Sequence, residues 1–340
     1  MSQKTVDVII PTYNGLPWLK EAVESVLNQT HKNLTLYVMD DGSKDNGATG
    51  KYIKSLNDKR VVYTRQKNAG QANARNNGIK MSSSEFVAFL DADDFWTHDK
   101  IEKQLALMDD KEVGLVYGHH YTCDEEGVIL RNLRIWKRGY IADDLAGGNL
   151  IAGSASMALV RRSVLERAGL FHEDFVNGED WDLWLRIALI SKVDFVPEIL
   201  ATIRLHSNST QVNTKRMADG LLHAYEVMIK EIDLTPLQQK RVASYCLFHA
   251  ADMYLALGNR WKSKKILFHL FHENTRAFFQ AENWKVHVSF GLFARVLFGN
   301  PLFDFIKRVF RKLYRLFKQA LRFVWRVIRF ILRRIKRLFA

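Results

Sequence analysis

The sequence is short of cysteine: Cys123 and Cys246 are the only two. No disulfide framework can be read from a single pair, and the expected compartment is a reducing one. Near the N-terminus, Val6–Ile10 is apolar apart from Asp7 and is stopped by Pro11. That run is too short for the core of a secretory signal, so none is expected. No stretch of about 18 uninterrupted apolar residues occurs, and a membrane-spanning helix is not expected. Nucleotide-binding signatures of the GxGxxG and GxxxxGK[ST] types are missing. His119-His120 has no partners at zinc spacing and reads as part of a strand or loop. There is no internal repeat and no low-complexity linker.

What is present is an ordinary globular composition, 47% hydrophobic and 26% charged over 340 residues, enough for one large or two modest domains. The net charge of +13 is concentrated at one end. Residues 301–340 carry thirteen Lys and Arg against one acid, Asp304, a net of +12, which leaves the first 300 residues near neutrality.

The first hundred residues alternate short apolar runs with helical patterns. Val6–Ile10, Leu34–Met39, Val61–Thr64 and Phe86–Leu90 read as strands. Asn14 is placed to cap a helix whose apolar positions Leu19, Ala22, Val23, Val26 and Leu27 share one face. Strands alternating with helices imply an α/β fold with a mainly parallel sheet. Beyond residue 112 the pattern is mixed, with a small-residue apolar run at 151–160 and a helix over Trp181–Ile190. From about Asp219 the chain reads as helix. Thr235-Pro236 with Gln238 marks a helix start and Gly258 a stop, and a second helix is expected over Arg260–His272.

Three acidic clusters stand out. Asp91-Ala92-Asp93-Asp94 follows a strand, and a D-x-D pair there can hold a hard cation such as Mg²⁺ or Mn²⁺ through oxygen ligands. The same residues also suit a simple turn with capping aspartates. Asp40-Asp41-Gly42-Ser43 also follows a strand and serves equally as a tight turn. Glu179-Asp180-Trp181-Asp182 opens a helix, where the dipole favours carboxylates in any case. Ligands of open parallel sheets bind beyond the carboxyl ends of strands, so these clusters suggest one site.

Taken in order, Ile9-Ile10-Pro11-Thr12-Tyr13-Asn14, Met39-Asp40-Asp41-Gly42-Ser43, Asn68-Ala69-Gly70 with Ala74-Arg75-Asn76, Asp91-Ala92-Asp93-Asp94 and Gly178-Glu179-Asp180-Trp181 resemble the family 2 glycosyltransferases of the GT-A fold. The resemblance spans about residues 5–210. It implies that Pro11, Thr12 and Tyr13 line a nucleotide base pocket, and that Asp41 hydrogen-bonds the base, typically uracil. It also implies that Asp91, Ala92 and Asp93 face the donor diphosphate, with Asp93 the more direct ligand of Mn²⁺ or Mg²⁺. Arg75 lies in a stretch associated with donor binding, with no contact fixed. Asp180 matches the base that deprotonates an acceptor hydroxyl for inverting attack. Arg204-Leu205-His206 with Ser207-Asn208-Ser209 resembles the loop that closes over the diphosphate, and places His206 near metal or phosphate; a structural role for His206 stands beside that. Such chemistry calls for one acidic group at the metal and another left free as base.

The expected organisation is a GT-A domain over 1–215, with a nucleotide-sugar half 1–112 and an acceptor half 113–215. A helical extension follows over 216–300 and a basic amphipathic helix over 301–340. On a helix of about 100° per residue, the basic residues from Lys307 to Arg337 fall within about 140° of arc, with Arg334 just outside, opposite a Phe/Val/Leu/Ile face. Trp325 borders the basic arc. A helix of this kind suits an anionic membrane surface at 302–339. A partner protein would use the apolar face; nucleic acid would leave it idle and is not expected as a partner. The expected protein is a peripheral enzyme at the cytoplasmic face of the inner membrane. It would transfer a sugar from a nucleotide-sugar, preferably a UDP-sugar, to a lipid-linked glycan of the polysaccharide or lipopolysaccharide type. A soluble or protein acceptor, or a non-catalytic membrane-docking scaffold with the same fold, are the alternatives.

Overall fold

A computed structural model describes residues 4–273, apart from 134–135, 152–153, 176, 208 and 210–211. The proposed helix at 302–339 and the extension beyond 273 lie outside the described residues. One compact unit runs from Met1 to Leu257, and Gly258 opens a second. In the second unit, helix α10 (Arg260–Glu273) follows Gly258, whose φ of 79° suits the helix stop expected there.

The first unit is built on a nine-stranded sheet in the order β3 (Val61–Arg65), β2 (Leu34–Asp40), β1 (Val6–Thr12), β4 (Phe86–Phe89), β8 (Leu159–Arg161), β6 (Val113–Cys123), β9 (Lys192–Arg204), β5 (Phe95–Trp96), with β7 (Ile129–Leu133) paired to β6. β1, β2, β3 and β4 pair in parallel. Their connections are α1 (Leu16–Leu27), α2 (Ala48–Ser55) and α3 (Gln71–Met81). All seven β1 residues are buried, and apart from Asp7, whose Oδ2 accepts from Ser83 and Ser84 N–H, and Thr12 at its end, the run is apolar on both faces. On α1 the expected stripe Leu19, Ala22, Val23 and Val26 is buried.

The parallel expectation holds for this half and not for the next. β6 runs parallel to β9 but antiparallel to β7 and β8. β5 pairs antiparallel with β9, and β4 with β8. The sheet is therefore mixed. A β6–β7 hairpin and long bulged strands replace the regular crossovers of the first half. The remaining helices of the unit are α4 (Lys100–Leu107), α5 (Ala142–Leu145), α6 (Arg162–Ala168), α7 (Glu179–Ile190), α8 (Thr214–Glu231) and α9 (Pro236–Ala256).

Asn14 does not cap α1. It adopts φ 55°, its Oδ1 accepts from the Lys44 N–H at 2.7 Å, and Gly15 takes the cap position. Its side chain ties two loops together at the carboxyl end of the sheet. The start of α9 is as expected: Thr235 Oγ1 accepts from Gln238 N–H, and Gln238 Oε1 accepts from Thr235 N–H. α8 begins at Thr214, five residues before Asp219, with Asn213 accepting from Arg216 N–H. Both helices belong to the first unit, and the compact body thus extends beyond residue 215. Among the described residues no helix is long and apolar enough to cross a membrane.

Candidate active site

The polar clusters after β1, β2 and β4 meet at one edge of the sheet, as strand order requires: Thr12 pairs with Asp40, and Asp41 N–H donates to Thr12 C=O at 2.8 Å. They open into a cleft of about 960 Å³. Every expected site residue lines it: Pro11, Thr12, Tyr13, Asp41, Arg75, Asp91, Ala92, Asp93, Asp180 and His206.

Asp41 is buried and braces a loop. Its carboxylate accepts from Ala69 N–H and Gln66 Nε2 at 2.9 Å on one oxygen and from Gly70 N–H at 2.8 Å on the other. A carboxylate has about four acceptor positions, so one remains for a ligand N–H. Asp40 faces inward, holding Ser43 N–H at 2.8 Å and Tyr63 Oη at 2.7 Å. Tyr13 is 45% exposed at the rim, free to lie against a planar base. Thr12 Oγ1 is buried beside it with no hydrogen-bond partner among the described residues.

Carboxylate oxygens of Asp91, Asp93 and Asp94 lie within 4.8 Å of one another. The three are not equivalent. Asp94 is committed to the fold: Oδ2 accepts from Ser156 Oγ at 2.6 Å and Ser154 Oγ at 3.1 Å, and Oδ1 from Arg204 N–H at 3.0 Å. Burial, with Asp93 and Asp91 nearby, holds its carboxyl well above the usual range. Asp91 gives Oδ1 to Arg75 Nη2 at 2.5 Å. Burial raises its pKa, against the opposing pull of Arg75. Asp93 is the most open, and its Oδ2 lies 2.9 Å from His206 Nε2. The His206 ring stacks on Trp18, centroids 4.3 Å apart. Crowded carboxylates held against their own repulsion are a donor set that a divalent cation fits. Asp91 and Asp93 keep oxygens for it, and Asp94 does not.

Arg75 has a role that the sequence left open. It is buried, and α3 carries it between two acids: Nη2 to Asp91 and Nη1 to Glu179 Oε1 at 2.8 Å. Burial opposes its charge, but the two carboxylates outweigh that and raise its pKa. Its side chain is a brace between the D-x-D turn and the start of α7.

Gly178, at φ 85°, caps α7 and turns the chain so that Glu179 points in to Arg75 while Asp180 lines the cleft. Asp180 Oδ1 accepts from Trp181 N–H at 2.7 Å, and Oδ2 lies 3.4 Å from Asn149 Nδ2. Burial first, and then Glu179, push its pKa up to about 7. A half-buried carboxylate with that pKa is suited to general base work at neutral pH.

Some lining residues escaped the sequence. Met217, Gly220, Leu221 and Ala224 of α8 and Tyr245 of α9 form one wall. Tyr245 meets Trp181 edge to face, centroids 5.0 Å apart. His120 lines the cleft from β6, beside Thr122 and Arg131. Burial, Arg131 and His119 push its pKa down to about 4, so it is neutral. Ser154, at φ 112°, and Ser156 were visible only as part of a small-residue run.

The family model described as Glycosyl transferase family 2 matches residues 7–169. The UDP-Glc:alpha-D-GlcNAc-diphosphoundecaprenol beta-1,3-glucosyltransferase WfgD of Escherichia coli is 31% identical over 190 residues, 55% of this chain and 71% of WfgD. The chain belongs to the family 2 glycosyltransferases. An uncharacterized glycosyltransferase of Rickettsia bellii is 35% identical over 221 residues, 64% of this chain and 31% of that protein. The chain spans about a third of the length of the Rickettsia bellii, conorii and felis relatives. Among solved structures, the mannosyltransferase PcManGT of Pyrobaculum calidifontis, in complex with GDP-Man and Mn²⁺, superposes with a TM-score of 0.56 at 19% identity, over 88% of each chain. At that identity the likeness concerns the fold, which for this family 2 glycosyltransferase is GT-A.

Proposed function

We propose that the protein transfers a sugar from a nucleotide-sugar, preferably a UDP-sugar, to a hydroxyl of a lipid-linked glycan acceptor, with inversion at the anomeric carbon. The observation that carries this reading is the division of the acidic residues around Arg75. Asp91 and Asp93 lie on one side and Asp180 stands separately, with its pKa pushed up to about 7. One group can then serve the leaving diphosphate and the other the nucleophile. WfgD, by its name, takes UDP-Glc and a diphosphoundecaprenol-linked sugar, which supports the donor and acceptor classes.

In this mechanism Tyr13 and Asp41 hold the base, and Leu205 and His206, which line the cleft, lie against the diphosphate. Asp180 Oδ2 takes the acceptor proton as the hydroxyl oxygen bonds to the anomeric carbon, and the bond to the nucleoside diphosphate breaks on the opposite side. Trp181 N–H on Oδ1 keeps the other oxygen aimed at the cleft. A divalent cation, Mn²⁺ or Mg²⁺, held by Asp91 and Asp93 beside His206, would neutralise charge on the departing diphosphate as a Lewis acid.

On this reading the protein works peripherally at the cytoplasmic face of the inner membrane, in polysaccharide or lipopolysaccharide assembly. The basic, amphipathic sequence at 302–339 would bind an anionic surface. Two measurements test this reading. Incubation with a panel of UDP-sugars and prenyl-diphosphate-linked sugars should release UDP with the mass of one added hexose unit on one acceptor. Absence of any UDP release, with or without acceptor, would support the scaffold alternative. Removal of residues 302–340 should abolish sedimentation with vesicles rich in phosphatidylglycerol, and unchanged sedimentation would refute the membrane role.

A further inference from the structure

One wall of the cleft comes from α8 and α9, outside the family match at residues 7–169. From α8 it takes Met217, Gly220, Leu221 and Ala224, whose side chains carry no N–H or O–H. From α9 it takes Tyr245, whose phenol is the polar group of this apolar wall. A few polar groups set into apolar lining are what fix the orientation of a bound ligand.

The Tyr245 ring is held by its neighbours. Trp181 and His249 both meet it edge to face, with centroids 5.0 and 4.5 Å away. Trp181 is itself tied down, its Nε1 donating to Leu145 C=O at 2.7 Å. The third neighbour is backbone. Gly148 adopts φ 137°, and a Cβ there would lie 2.6 Å from Tyr245 Cε2, so the chain packs on the ring as only glycine can. The hydroxyl is treated differently. It is not sealed off from the cleft, and among the described residues no hydrogen bond engages it. A phenol can donate once and accept twice, so an ordered ring here presents an unused polar tip.

Its place in the cleft is set by Asp180. Burial, Cys246 and Asp180 hold the phenol above its ordinary pKa, and neither Asp91 nor Asp93 contributes. The group therefore stays a neutral O–H at working pH, on the side of the base and not at the D-x-D turn. That side receives the nucleophile.

We propose that Tyr245 determines acceptor specificity: its Oη hydrogen-bonds a second hydroxyl of the acceptor sugar while Asp180 takes the proton of the first. This rests on the glycosyl transfer reading above and adds to it a contact with the acceptor. A site built to hydrogen-bond a substrate hydroxyl rejects the analogue that lacks it, because the buried partner is left unpaired.

The test measures UDP release by the full-length protein with Mn²⁺. UDP-glucose, UDP-galactose and UDP-GlcNAc serve as donors, and the farnesyl diphosphates of glucose, galactose, GlcNAc and GalNAc as acceptors. With the pair that reacts, Tyr245→Phe keeps the ring and should raise acceptor KM about tenfold while donor KM stays as in the parent. Monodeoxy versions of that acceptor locate the partner hydroxyl. One of them should cost the parent about tenfold in kcat/KM and cost Tyr245→Phe nothing further, since the variant has already lost that bond. Acceptor KM in Tyr245→Phe equal to that of the parent would overturn the proposal. Deoxy losses that match in the two proteins at every position would overturn it as well. A raised donor KM would do so by placing the phenol on the donor sugar. These three outcomes leave glycosyl transfer standing, whereas no UDP release with any pair would sink that reading and the proposal with it.

Discussion

Arg75 Nη1 donates to Glu179 Oε1 at 2.8 Å, joining α3 to the start of α7 across 104 residues of sequence. Through its other nitrogen the same guanidinium reaches Asp91. The spacing between the D-x-D turn and Asp180 thus depends on one buried cation. Removing it leaves Asp91 and Glu179 without a countercharge, although Gln71 Nε2 still donates to Glu179 Oε1, and breaking a buried pair in this way costs about 3–5 kcal/mol. Arg75→Met should lower stability by that order in urea melts. Adding Glu179→Gln should recover part of the stability without restoring UDP release. Full activity in Arg75→Met would show that the brace does not set the site.

The pH dependence follows from Asp180. It acts as base when ionised and its pKa is raised to about 7, so kcat/KM should fall about tenfold per pH unit below 7. A flat profile between pH 5.5 and 8 would remove Asp180 from the proton transfer.

Asp180 also bears on stability. A carboxyl whose pKa is higher folded than unfolded contributes stability at low pH that is lost as pH rises through the folded value. The loss here develops between about pH 4 and 7 and is complete above that. Asp180→Asn should therefore abolish transfer, keep UDP binding, and exceed the parent in stability at pH 8 by about 1–3 kcal/mol. The two proteins should converge at pH 4. Lower stability of the variant at pH 8 would contradict the burial cost assigned to this residue.

Gly220 is a packing requirement of the same region. A Cβ there would overlap the Asn177 carboxamide, and Asn177 immediately precedes the cap of α7. Gly220→Ala should cost about 1–3 kcal/mol through overpacking. It should lower kcat more than donor affinity, because it disturbs the Asp180 side of the cleft. Equal losses in both would point to general unfolding instead.

Sequence reading reached the elements whose determinants are local. The first four strands, the α1 stripe and the Thr235 capping box all follow from spacing a few residues long. Pro11, Thr12, Tyr13, Asp41, Asp91 and Asp180 were expected at one cleft because they end parallel strands or open a helix, and strand order alone brings such positions to one edge. Long-range pairing was not legible. The antiparallel β4–β8 and β6–β8 ladders, Arg75 between Asp91 and Glu179, and the wall from α8 and α9 depend on packing that no short window encodes. Asn14 failed as a cap because Lys44 N–H, thirty residues away, claims its side chain.

Asp91 and Asp93 should make nucleotide-sugar binding depend on a divalent cation, and calorimetric titration of UDP measures that dependence. UDP should bind with Mn²⁺ present, weaken at least about tenfold after chelation, and bind no better with Mn²⁺ than without it in Asp93→Ala. GDP and dTDP, titrated in parallel, should bind more weakly than UDP. UDP affinity that is the same with and without Mn²⁺, or that survives intact in Asp93→Ala, would contradict the account.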